Sequence, residues 1–97
     1  MAAFIPDLMD RSRLGGRAIT FVSAPGDLAG TEADLYLVDL SRPGALEAIA
    51  ALAERRVVGF GSHVDAEVLR AARAAGCDTV LARSAFFNRI DDILGAE

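Results

Sequence analysis

The chain contains no lysine: all ten of its basic residues are arginine, and fourteen acids outnumber them to give a net charge of −4. No basic stretch is present, which removes the phosphate-neutralising attraction on which nucleic-acid binding mostly rests. An anionic membrane surface is disfavoured for the same reason. Long apolar runs are also missing, since a charge, Gly or Pro interrupts each one well short of the ~20 residues that span a bilayer. The opening MAAFIPDLMD has neither the basic nor the apolar region of a signal peptide. The single cysteine, Cys77, has no partner for an internal disulfide and makes no zinc site by itself. These absences lead us to expect a soluble, cytoplasmic protein with no nucleic-acid or membrane partner. What is present is 97 residues that are 53% hydrophobic, enough for one domain with one core.

Apolar runs alternate with helical patterns, most clearly in the second half. Asp34 to Leu40, DLYLVDL, reads as a strand buried on both faces. Ser41, Arg42, Pro43 and Gly44 then lead into a helix on which Leu46, Ile49 and Ala53 share a face, with Pro43 suited to its first turn. Arg56 to Gly61, RVVGFG, is the next strand, and Ser62 to Asp65 has the spacing of a capping box. The helix after it is expected to bury Val68, Leu69, Ala72 and Ala75 and to stop at Gly76. TVLA, Thr79 to Ala82, is a strand, followed by one helix capped by Ser84 and carrying Phe86, Phe87, Ile90, Ile93 and Leu94.

The first half is weaker in pattern. Ala2 to Pro6 and Ala18 to Val22 read as strands, Leu8 to Leu14 as about two helical turns broken by Gly15 and Gly16, and Ser23 to Thr31 as a loop with at most one turn. The sum is a single domain over residues 1–97. We expect an α/β, flavodoxin-like, doubly wound parallel sheet of about five strands in the order 2-1-3-4-5, with a short first helix and a reduced second one.

In such sheets chemistry gathers at the carboxyl ends of the strands. The residues there are Asp7, Asp39, Ser62 and Arg83. Two carboxylates sharing a small site require a raised pKa, a bound cation or a nearby arginine. Asp7 has a second reading as a helix cap. Asp39 is harder to explain as a turn former, because it is embedded in an apolar run.

LYLVDLSRPGALEAI resembles the phosphoacceptor strand and loop of bacterial response-regulator receiver domains, with Asp39 and Pro43 at the spacing of acceptor aspartate and proline. RVVGFGS resembles the strand ending in the family's switch hydroxyl, and TVLARS the strand ending in its Lys-Pro pair. The similarity of order and spacing runs from Phe4 to Leu94. The resemblance implies a two-component signalling phosphoprotein and not an enzyme. Asp39 would accept the phosphoryl group, Ser62 would supply the switch hydroxyl, and Asp7, Asp10 and Asp39 would hold metal. Mg²⁺ is the implied cofactor if the phosphorylation site is intact, and none otherwise.

The departures carry weight. Pro6 precedes Asp7 where the family has two adjacent acids, the next acid is Asp10, and Arg83-Ser84 replaces Lys-Pro. Arginine keeps the charge, but its planar fork favours a carboxylate partner. We expect Arg83 to bridge Asp39 or Asp7, giving a pseudo-receiver held in one state. We expect no output segment after Glu97 and therefore expect any effect through a protein partner, such as a signalling protein, a histidine kinase or a second copy in a homodimer. The face bearing the first and last helices is the candidate for that contact. The competing reading is a small anion- or metal-binding domain or enzyme built on the rim of Asp7, Asp39 and Arg83.

The remaining residues have plain explanations. His63 is adjacent to Ser62 and badly placed to act on it as a base, so it reads as an ordinary loop histidine. Gly59 and Gly61 serve close packing or a turn, because the segment lacks the P-loop lysine. Cys77 reads as a small buried residue, and of Phe86 and Phe87 one is expected in the core and the other toward an edge.

Overall fold

The computed structural model describes residues 1–52, 54–61 and 66–94. Its strands are β1 (Ala2–Phe4), β2 (Thr20–Phe21), β3 (Tyr36–Asp39), β4 (Val57–Gly61) and β5 (Thr79–Ala82). They form one sheet in the order β2-β1-β3-β4-β5, and every neighbouring pair is parallel. Parallel pairing requires crossovers, which the helices supply. These are α1 (Leu8–Arg13), α2 (Ala45–Ala50), α3 (Ala66–Ala75), α4 (Arg83–Asn88) and α5 (Ile90–Leu94), together with a 3₁₀ helix at Pro25–Gly30.

Side chains alternate across the sheet with period two, so each strand feeds two cores. Ala2, Phe4, Tyr36, Val38, Leu40 and Val57 face a layer closed by Leu28, Ile49, Leu52 and Ala72. Ala3, Ile5, Leu35, Leu37, Val58 and Phe60 face the opposite layer, closed by Leu14, Phe86, Phe87 and Leu94. Gly59 leaves room in the first layer for a close approach. A Cβ there would lie 3.0 Å from Cys77 Sγ and from Leu40 Cδ1, which bears out the packing reading of this glycine.

Several boundaries differ from the sequence reading, each for a local reason. Ser23 to Thr31 is not mostly loop: Pro25, with φ preset for a turn, opens the 3₁₀ helix and Leu28 anchors it in the core. Pro43 lies outside α2, because Gly44 takes a left-handed φ of 85° immediately before it and only then does the helix begin. The last helix is two pieces, interrupted at Arg89, and Ser84 is not its cap, since β5 passes directly into α4 with Ala82 at the capping position. Phe86 and Phe87 are both buried. Phe86 stacks on Phe60 with centroids 4.4 Å apart, and Phe87 meets both rings edge-on. The expectation of one edge-facing ring fails because Arg13 caps Phe87 at 4.3 Å from its centroid and covers what the short helices leave open. Of the four apolar residues expected to be buried on α3, Ala72 is fully buried, while Val68, Leu69 and Ala75 are partly so. The helix ends at Gly76, whose φ is 116°. The expected capping box at Ser62 to Asp65 falls outside the described residues.

Candidate functional site

The carboxyl ends of β1, β3 and β5 place Asp7, Asp39 and Arg83 on one rim. Asp7 follows β1 and is the N-cap of α1, its Oδ1 accepting from the backbone N–H of Met9 at 2.8 Å and of Asp10 at 3.2 Å. Those two bonds favour the ionised form and hold the Asp7 carboxyl below the usual value. The capping role weighed for this residue is therefore the one its side chain performs.

Asp39 ends β3 and is buried, with 2% of its surface exposed. Its Oδ1 accepts from the Ser41 backbone N–H at 3.0 Å and from the Ser41 hydroxyl at 2.6 Å, closing a turn two residues long. Arg42 Nε stands 3.6 Å from the other oxygen.

Asp10 is the residue whose role the sequence did not reveal. Lying on the first turn of α1, it turns its carboxylate toward the sheet and has no solvent exposure. Oδ1 accepts from Nη2 of Arg83, an ion pair between residues 73 apart in the chain. Oδ2 has no hydrogen-bond partner among the described residues. Burial pushes the Asp10 carboxyl above its usual value, Arg83 opposes that shift, and the charges of Asp7 and Asp39 reinforce it. Arg83 thus bridges neither Asp39 nor Asp7 but a third acid. The guanidinium reaches further than an ammonium would and, among the described residues, finds in Asp10 an anion with no other cation bonded to it. The pair ties α1, which follows β1, to the end of β5, although β3 and β4 lie between those strands.

Mg²⁺ demands near-octahedral oxygen ligation, and one oxygen of each carboxylate is already bonded, that of Asp7 to α1, that of Asp10 to Arg83 and that of Asp39 to Ser41. Among the described residues no group of three His, Cys, Asp or Glu side chains is placed to hold a metal. Ser62 and His63 lie outside the described residues. Signals for the partners of Asp39 were present in the sequence as the Asp-x-Ser spacing, and for Asp10 only as an acid three residues after a capping acid.

Two large apolar side chains stand beside this rim, Leu8 at 74% and Met9 at 77% exposure. Among the described residues no helix is long and apolar enough to cross a membrane.

No family model matches the chain, and no curated protein sequence does. Among solved structures, the crystal structure of a response regulator CheY-like protein from Mesorhizobium loti superimposes with a TM-score of 0.65 at 18% sequence identity, over 98% of this chain and 94% of that one. At that identity the likeness speaks for the fold: five parallel strands in the order 2-1-3-4-5, the architecture of a CheY-like receiver.

Proposed function

We propose that this chain is a receiver-type signalling module that acts by binding a partner protein and is not switched by phosphorylation of Asp39. The observation that supports this reading is the pairing of Arg83 with buried Asp10, Arg83 standing where the resemblance implies the family's lysine. A cation committed there is withdrawn from a phosphoryl group on Asp39. Asp39 itself is held by the Ser41 hydroxyl and backbone. Leu8 and Met9, exposed at the start of α1, provide apolar contact surface for a partner.

The test is an amide NMR titration with Mg²⁺ and beryllofluoride, a phosphoryl mimic. The expected spectrum is nearly unchanged. Saturable shifts centred on Asp39 and the following loop would establish a working switch and reject this reading.

A further inference from the structure

We propose that Arg83 is the resident cation of this rim, supplying from within the chain the positive charge that a divalent ion supplies in a metal-dependent carboxylate site, so that the module's structure is independent of Mg²⁺. The inference rests on the reading of the rim as a receiver-type site and concerns how its charge is balanced.

Three carboxylates stand near enough for Asp7 and Asp39 to act electrostatically on Asp10, and the one furthest from water is the one Arg83 holds. A solvent-excluded carboxylate needs a cation or a proton. A guanidinium meets that need permanently, because it remains charged at every accessible pH, and no chelator can remove it. Its carrier is anchored as well: Arg83 starts α4 directly from β5, with no intervening loop in which to relax. The remaining oxygen of Asp10 has no hydrogen-bond partner among the described residues, so Arg83 meets this carboxylate through one oxygen only. Arg42, 3.6 Å from Asp39, gives the third carboxylate a cation of its own.

The experiment is a titration of the whole chain with Mn²⁺, read by selective paramagnetic broadening of amide signals, alongside thermal melting with Mg²⁺ or EDTA at matched ionic strength. For the natural chain we expect no selective broadening at Met9, Asp10 or Leu40 and no Mg²⁺-dependent change in melting temperature. A functional site present at one hundredth of the Mg²⁺ concentration in Kd would raise it by about 10–20 °C. For Arg83→Met we expect a lower melting temperature, partly restored by Mg²⁺, with selective broadening at Asp10. Adding Asp10→Asn should abolish both metal effects. Saturable metal binding by the natural chain overturns the inference, as does an Arg83→Met variant that folds but responds no more than the natural chain. If that variant does not fold, the titration of the natural chain decides alone. The beryllofluoride experiment reports separately on the module reading, so metal binding with Asp39 still unresponsive would overturn this inference and leave that reading in place.

Discussion

Arg83→Met is the sharpest perturbation of this fold, because it removes charge while keeping much of the side chain's volume. The variant leaves Asp10 without solvent exposure and without its cation, with one oxygen already unpartnered. Breaking a buried pair by deleting one member costs about 3–5 kcal/mol. Arg83 keeps 44% of its side chain in solvent, so screening reduces the loss, and we expect about 2 kcal/mol. For a domain of this size, with total stability of about 5–15 kcal/mol, that is a lowering of the melting temperature by about 8–16 °C. Urea unfolding followed by far-UV circular dichroism measures it. Asp10→Leu in the same background should recover most of the loss, because replacing both members by apolar groups removes the stranded charge. A loss below about 0.5 kcal/mol for Arg83→Met, or strictly additive effects in the double variant, would refute the reasoning.

Other consequences are simpler to state. Asp7→Ala should lower the melting temperature by removing the cap of α1, and it should flatten the acid limb of stability. The folded Asp7 carboxyl lies below its ordinary value of 3.8, so its contribution is complete above that pH and is lost as pH falls through the folded value. Asp10 has the opposite sign, because its folded carboxyl is raised and protonation relieves the cost of burying it. Melting curves across the acid range of the natural chain and the Asp7→Ala variant check the difference. Gly59→Ala should cost about 1–3 kcal/mol through overpacking, since its methyl group would press on Cys77 and Leu40; urea midpoints measure this. Cys77, buried and with its thiol pushed up to about 11 by burial, should react slowly with a disulfide reagent near neutral pH and fully in denaturant, and rapid labelling of the native chain would contradict its placement.

The sheet was legible because strand residues and helix residues differ in period, and the runs at 34–40, 56–61 and 79–82 are separated by strong helical patterns. The 3₁₀ helix was not, since six residues containing one proline and two glycines carry no periodic signal until Leu28 finds the core. The break at Arg89 was hidden for the reverse reason: an apolar stripe continues through it, and tertiary packing of Phe86, Phe87, Ile90 and Leu94 tolerates the interruption. At the rim, the residue types at the strand ends were readable, because topology alone places them there. The pairing of Arg83 was not, because a side chain chooses among three nearby acids by burial and reach. Arg17, which pairs with Asp91, was equally invisible as a tie between the segment after α1 and α5.

The absence of lysine thus acquires a structural counterpart, a guanidinium paired with Asp10 on the same rim as Asp39, the buried aspartate that ends β3. The most direct test of that account is to incubate the chain with Mg²⁺ and acetyl phosphate and to measure the intact mass against an Asp39→Asn control. An unmodified chain is expected in both cases. A stoichiometric phosphoryl adduct that appears on the natural chain and disappears with Asp39→Asn would contradict it.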